Sequence, residues 1–91
     1  MQYVICYDIS DDRRRERLAG ALLDFGKRIQ ESVFLAHLDD ALAARLRERI
    51  RKEVDPDFDR VHLFSLCEQC AGKVEALGTA EVPKDQDFYV I

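Results

Sequence analysis

Strand-like apolar segments alternate with segments of helical periodicity in this chain, and this alternation limits its fold more than any other feature. Residues 2–9 are β-branched and aromatic, which predicts a buried first strand. From Asp12 to Phe25 apolar residues recur at helical spacing, and Gly26 then ends the predicted helix. Ser10 or Asp11 can cap this helix, because each side chain offers an oxygen to the free amides at its start.

The second half of the chain repeats the alternation. Residues 27–38 are extended, and their length fits either one irregular strand or two short strands joined by a tight bend. A second helix is expected over residues 39–54, because an apolar stripe runs along it and Pro56 restricts the residue before it. Residues 58–66 predict another buried strand. The candidate core residues are Leu42, Leu46, Ile50 and Val54 in this helix and Val61, Leu63 and Phe64 in this strand.

The order β-α-β(β)-α-β predicts a single α+β domain over residues 1–91. Ninety-one residues are too few for two domains, and such a chain forms one sheet with two helices on one face. A ferredoxin-like βαββαβ sandwich with a short C-terminal strand is therefore expected. No apolar run reaches the length of a membrane span, and the first residues do not read as a signal peptide, so we expect a cytoplasmic protein without membrane contact.

The apolar tail, Phe88–Ile91, has two interpretations. It can form an edge strand within its own chain, or it can add to the sheet edge of a second copy and thereby form a homodimer. A two-fold axis would bring two copies of any site near that axis together.

Asp8 ends the first predicted strand, where a buried carboxylate is costly unless it is paired or bound to a metal. It is interpreted either as a cap of the following turn or helix, or as a ligand of a hard cation. One carboxylate is a poor metal site, but two facing carboxylates from a dimer, together with waters, can hold Mg²⁺.

Arginines cluster in two segments of an otherwise acidic chain. The net charge of −4 argues weakly against a general nucleic-acid binder, yet local positive fields remain possible around Arg13–Arg17 and Arg45–Lys52. Arg15 lies at the edge of the apolar stripe of the first helix, in the turn nearest Asp8. Its side chain either extends along the core to water or points to a group above the strand end, such as Asp8 or a phosphate.

Cys67 and Cys70 form a single C-x-x-C motif. No second motif supplies the four ligands of a structural zinc site, and the motif does not open a helix early in a βαβ unit as a redox pair would. A turn or core role is expected, with zinc and redox roles as alternatives. Three cysteines without a secretion signal also argue against a disulfide framework.

Two motifs resemble those of a known family. Residues 7–12 read YDISDD and precede two spaced arginines, Arg15 and Arg17, while residues 26–34 read GKRIQESVF. These segments resemble the signature of the CRISPR-associated Cas2 family, in which a strand ends in Y-D-I, a helix has two arginines, and a G-x-R-(I/V)-Q-x-S-V-F segment follows. The resemblance extends over essentially the whole chain.

The resemblance implies an activity, its partners and its site residues. It implies a ferredoxin-like homodimer with a tail strand that crosses to the partner, and a metal-dependent endonuclease of single-stranded RNA or, in some members, double-stranded DNA. Asp8 looks like the Mg²⁺ ligand and a catalytic residue, with Arg15 and Arg17 as further catalytic residues. Arg28 and Phe34 resemble nucleic-acid-binding positions. The family also acts with the Cas1 integrase when new spacers are inserted into a CRISPR array.

Two other classes of function remain as alternatives. In the first, the protein is a structural DNA-bridging adaptor of the spacer integration complex, and its carboxylate site is catalytically idle. In the second, it is a ferredoxin-like small-molecule sensor. A sensor requires a glycine-rich anion loop or an apolar ligand pocket, and the sequence offers neither clearly.

Overall fold

The computed structural model describes residues 1–78, which form strands and helices in the predicted alternation. The strands are β1 (Gln2–Asp8), β2 (Lys27–Gln30), β3 (Val33–His37) and β4 (Arg60–Leu66). The helices are α1 (Asp12–Leu22), α2 (Asp40–Glu53) and α3 (Glu68–Ala71). The tail strand predicted at Phe88–Ile91 lies outside the described residues.

The four strands form one antiparallel sheet in the order β2-β3-β1-β4. β1 therefore lies between β3 and β4, while β2 and β4 are the edges of the sheet in this part of the chain. This is the strand order of a ferredoxin-like βαββαβ chain, so the predicted fold class is confirmed. Within residues 1–78, no helix is both long and apolar enough to cross a membrane.

Side chains of β1 alternate between a covered face and an open face of the sheet. Tyr3, Ile5 and Tyr7 are buried in the main core, whereas Asp8 is exposed. The helices add Leu18 and Leu22 of α1 and Leu46 and Ile50 of α2 to the same core. Full burial of each large apolar side chain contributes about 1.5–3 kcal/mol. The helices thus cover one face, and successive residues of β1 point to opposite faces.

Residues 27–38 form two strands rather than one irregular strand. A tight turn at Glu31 and Ser32 joins β2 to β3, and a register irregularity lies between Arg28 and Gln30. Gly26 comes just before this hairpin and is packed against β3. A Cβ atom at Gly26 would lie 2.3 Å from the backbone oxygen of Leu35, so only glycine fits without rearrangement.

α1 ends earlier than its sequence pattern predicts. The helix stops at Leu22, and residues 23–25 form a turn in which the Gly26 N–H donates to the Leu22 carbonyl at 3.0 Å. Phe25 still packs against the core from this turn. Asp11 is the cap of α1, since its carboxylate accepts a hydrogen bond from the Arg14 backbone N–H at 2.9 Å.

α2 and β4 lie at their predicted positions, but β4 is a half-exposed edge strand rather than the predicted buried one, and not every predicted core residue is in the core. Val61 and Leu63 pack against the core, but Phe64 is 50% exposed on the open face, so its predicted core position is wrong. Adjacent residues of a strand point to opposite faces, so Leu63 and Phe64 cannot both face the helices. In α2, Ala43 is buried while Leu42 is 38% exposed.

Candidate functional site at the Asp8 end of the sheet

Asp8 is an exposed carboxylate between two buried residues, Tyr7 and Ile9. The side chain of Asp8 has no hydrogen bond or ion pair with any residue in the range 1–78. The capping interpretation of Asp8 does not apply to α1, because Asp11 caps that helix. The structure therefore presents a carboxylate at the end of a central strand with all of its acceptor positions open.

Arg15 is held at the point where the chain leaves β1. Its Nη1 donates to the backbone oxygen of Ile9 at 3.1 Å, and its Nη2 pairs with Asp12. The side-chain hydrogen bond to Asp12 raises the pKa of Arg15 above its ordinary value, so this arginine stays charged. The Arg15 guanidinium thus contacts Ile9, the residue that follows Asp8, and is paired with Asp12 rather than with Asp8.

Arg17 is directed to the second helix. Its Nε lies 3.6 Å from Oε2 of Glu53 in α2, and Arg49 reaches Oε1 of the same carboxylate at 3.6 Å. The side chain of Arg17 is 60% exposed, so donors of its guanidinium remain open to water. The structure does not bring Arg17 together with Asp8.

Tyr7, Arg28 and Phe34 form a connected cluster on the helix-covered face of the sheet, opposite to the face of Asp8. Arg28 Nη2 donates to the Tyr7 hydroxyl at 3.3 Å, and its guanidinium carbon lies 5.3 Å from the centre of the Phe34 ring. The Tyr7 hydroxyl donates to the backbone oxygen of Glu31 at 3.2 Å. Arg28 is exposed, so its remaining donors can reach a phosphate.

Phe34 supports this cluster from within the core. It is fully buried, and its ring centre lies 6.2 Å from that of Tyr7. A buried ring is not available for stacking with a base, so direct contact between Phe34 and nucleic acid is not supported by the structure. Phe34 instead offers an aromatic face to Arg28, which is an attractive arrangement for a cation.

A partly buried ion pair between Arg14 and Asp59 fixes the start of β4, and the sequence patterns did not predict it. Arg14 Nε and Nη2 donate to the two Asp59 oxygens at 2.8 and 3.1 Å, and the Asp55 backbone N–H adds a third bond at 2.8 Å. The Arg14 hydrogen bond is the main cause that lowers the pKa of Asp59. The partners are 45 residues apart, so no local periodicity indicates the pair.

Metal-ligating side chains do not form a large cluster in the described part of the chain. Among residues 1–78, no group of three or more His, Cys, Asp or Glu side chains is arranged to hold a metal ion. Mg²⁺ keeps several waters and is commonly held by only one or two carboxylates. Asp8 fits this requirement as one oxygen ligand, and a second copy of the chain could supply another.

The C-x-x-C motif lies apart from Asp8, whereas His62 is two residues from Arg60, the register partner of Asp8. His37 and His62 are exposed, and His62 stacks on Phe64 with ring centres 6.0 Å apart. Cys67 caps the short helix α3, where its Sγ accepts from the Cys70 N–H at 3.4 Å. Asp8 pairs with the first residue of β4, and Gln2 pairs with the last. Cys67 and Cys70 follow that last residue, so they lie at the opposite end of β4 from Asp8.

Comparisons with known proteins agree on one family. The family model described as "CRISPR associated protein Cas2" matches residues 1–74. The chain is 38% identical over 89 residues to "CRISPR-associated endonuclease Cas2 2" of Thermus thermophilus, covering 98% of this chain and 94% of that protein. It is 37% identical over 93 residues to "CRISPR-associated endoribonuclease Cas2 1" of Chloroflexus aurantiacus, covering 100% of both.

A solved structure supports the same relationship at the level of the fold. The crystal structure of a hypothetical protein, TT1823, from Thermus thermophilus superposes with a TM-score of 0.81. The two chains are 38% identical, and the match covers 91% of this chain and 96% of the other.

Proposed function

Since the chain belongs to the CRISPR-associated protein Cas2 family, we propose that it is a metal-dependent endonuclease that works as a homodimer. The relatives named above are an endonuclease and an endoribonuclease, which supports a nuclease. The proposed substrates are single-stranded RNA and double-stranded DNA, since both have phosphodiester backbones. The observation on which the proposal rests is Asp8, an exposed carboxylate without a protein partner among residues 1–78.

Asp8 of each of two copies would hold the metal ion, for which Mg²⁺ is the proposed identity. Carboxylate oxygens suit Mg²⁺, and Asp8 has open acceptor positions at the end of a hydrogen-bonded strand. When bound, such an ion polarises a phosphoryl oxygen and lowers the pKa of a water molecule. Two Asp8 carboxylates that approach each other would repel without a cation between them, so pairing and metal binding support each other.

Arg15 and Arg17 are proposed to stabilise the negative charge that develops during cleavage. A guanidinium has five N–H donors, and Arg15 uses two of its terminal groups on Ile9 and Asp12, which leaves others for a phosphate oxygen. Arg17 would contact the backbone of the nucleic acid further along α1, because its side chain is largely exposed. Arg28 would add a phosphate contact beside Tyr7.

The dimer itself is supported by the sheet. β4 is an edge strand in the described part of the chain, and an open edge offers unpaired backbone groups to another strand. On the open face, Val4 is half-buried and its register partner Phe64 is 50% exposed. A second copy that covers this edge and face would bury both.

The proposal is tested by Mg²⁺ titrated from zero, with labelled single-stranded RNA and duplex DNA side by side. Wild-type protein is expected to cleave at least one substrate, and EDTA is expected to abolish the cleavage. Asp8→Asn should lower the rate by at least about 100-fold, because it removes the ligand charge without a large change in shape. Asp40→Asn, an exposed aspartate at the start of α2, serves as the matched control and should retain the rate. Equal rates for the two variants would contradict the nuclease proposal.

A second candidate function is a non-catalytic DNA-bridging adaptor of spacer integration that acts with the Cas1 integrase. The exposed arginines Arg17 and Arg28 favour this candidate, because contacts with backbone phosphates are all that an adaptor needs. A spacer-integration assay with Cas1 separates the two functions. Lost cleavage with preserved integration in Asp8→Asn would indicate a nuclease that integration does not need, whereas absence of cleavage by wild-type protein would favour the adaptor.

A further inference from the structure

Arg60 lies directly opposite Asp8, in the last register pair between β1 and β4. Residues opposite each other in an antiparallel pair project from the same face, with Cβ atoms about 4.5–5.5 Å apart. Both residues are exposed. Neither side chain has a hydrogen bond or an ion pair with any residue that the structure describes. A negative and a positive side chain therefore stand next to each other with their polar atoms available.

The backbone at Arg60 is held firmly by its neighbour. The Asp59 side chain is fully buried, and Arg14 of α1 and the Asp55 backbone N–H together donate three hydrogen bonds to it. The backbone of Asp8 is held in the centre of the sheet by its pairing with β4. The two residues thus start from fixed positions, and only the long Arg60 side chain has to move to reach a ligand.

Other arginines at this end of the sheet already have protein partners. Arg14 is bound to Asp59, and Arg15 is bound to Ile9 and Asp12. Arg60 has no such partner among residues 1–78, so its whole guanidinium fork is open there. A carboxylate beside a nucleic-acid backbone repels phosphate, and an unpaired arginine beside it offsets that repulsion.

We infer that Arg60 is a phosphate-binding residue of the Asp8 site, which binds oxygens of the nucleic-acid backbone next to the carboxylate. The inference rests on the proposed nuclease function. The planar guanidinium matches two phosphate oxygens at once, which a lysine cannot do. Arg60 thus positions the phosphodiester at the carboxylate, while Asp8 serves the metal.

The test compares Arg60→Ala and Arg60→Lys with Arg45→Ala, an exposed arginine of α2 that has no ion pair among the described residues. Single-turnover cleavage of labelled RNA is measured over a Mg²⁺ titration that reaches saturation. RNA affinity is measured separately by fluorescence anisotropy in EDTA, over a range of salt concentrations. Thermal melting of each variant shows that the fold is retained.

Arg60→Ala should slow cleavage about 10- to 100-fold, the equivalent of one charge-assisted hydrogen bond or bidentate pair. In EDTA, the same variant should make the salt dependence of RNA affinity less steep by about one unit in the log–log slope. Arg60→Lys should retain the slope and recover only part of the rate, because a point charge does not reproduce the fork. Arg45→Ala should retain the wild-type cleavage rate.

Two results would overturn the inference. If the cleavage rate and RNA affinity of Arg60→Ala are within twofold of the wild-type values, Arg60 has no role at this site. If Arg60→Ala cleaves as fast as wild type but needs less Mg²⁺ for half-maximal cleavage, Arg60 only balances the charge of Asp8 and does not bind phosphate. Should wild-type protein not cleave at all, the nuclease proposal fails, and the anisotropy in EDTA still decides whether Arg60 contacts phosphate.

Discussion

Asp59 makes the stability of this protein sensitive to acid. Its pKa is lowered, chiefly by the hydrogen bonds from Arg14, so the folded state favours the charged form more than the unfolded chain does. A lowered carboxyl pKa stabilises the fold fully above the unfolded value of about 4, and this stabilisation is lost as the pH falls through the folded value.

Asp59→Asn should therefore be less stable than wild type at pH 7, with a Tm lower by roughly 5 °C or more. The difference should shrink as the pH falls below about 4, because Asp59 of the unfolded chain is protonated there and the folded carboxyl follows at lower pH. Thermal melting at pH 7 measures the first effect, and urea denaturation at pH 7, 4 and 3 measures the second. A difference that stays constant over this range would mean that Asp59 does not titrate with folding.

Phe34 is expected to act through the fold and through Arg28 rather than by contact with nucleic acid. Phe34→Ala should lose about 3–5 kcal/mol of stability, because it removes a fully buried ring. Phe34→Leu, which keeps most of the apolar volume, should stay folded and should bind RNA better than Arg28→Ala does. Urea denaturation and RNA anisotropy, run in parallel, check this. A folded Phe34→Leu variant with the binding defect of Arg28→Ala would point to a direct role of the ring.

Local patterns predicted some of these residues and not others. The position of Asp8 at a strand end and the cap at Asp11 follow from neighbouring residues alone, and the structure has both. The partners of Asp59 and Arg28 come from distant parts of the chain, and only the folded sheet brings them together. The opposition of Asp8 and Arg60 likewise depends on strand register, which no single segment contains.

Among the elements, the hairpin of β2 and β3 depends on one glycine. At Gly26 a Cβ would overlap the backbone oxygen of Leu35, whereas at Gly20 in α1 no neighbouring atom lies within 4 Å. Gly26→Ala should destabilise the protein by about 1–3 kcal/mol through this overlap. Gly20→Ala should stabilise it by about 0.5–1 kcal/mol, because alanine favours a helix. Chemical denaturation of both variants provides the check, and a neutral Gly26→Ala would mean that β3 can shift.

Element type followed from periodicity, while element faces and ends needed the tertiary structure. Alternation along β4 separates Leu63 from Phe64 but does not say which of them meets the helices. The contacts of Val61 and Leu63 with the core settle this. The early end of α1 has a similar cause. Phe25 follows Leu18 and Leu22 at helical spacing in the sequence, but it packs against the core from the turn after the helix.

At the scale of the whole molecule, the prediction concerns the tail. Deletion of Phe88–Ile91 should weaken the proposed dimer, because these apolar residues would otherwise cover a sheet edge of the partner. Sizing chromatography with light scattering over a concentration series measures the effect. A truncated protein that dimerises as well as the full chain would contradict a strand that crosses between subunits.

The outer edge of β4, which no strand within residues 1–78 covers, also has a consequence for how the proposed dimer is assembled. A newly synthesised chain exposes this row of amide and carbonyl groups before any second copy arrives. Pairing with a second copy of the chain then competes with pairing to strands of unrelated proteins. The fraction of chains that pair with a second copy depends on how many copies are synthesised close together in time. Clustered translation from one messenger would favour the correct encounter.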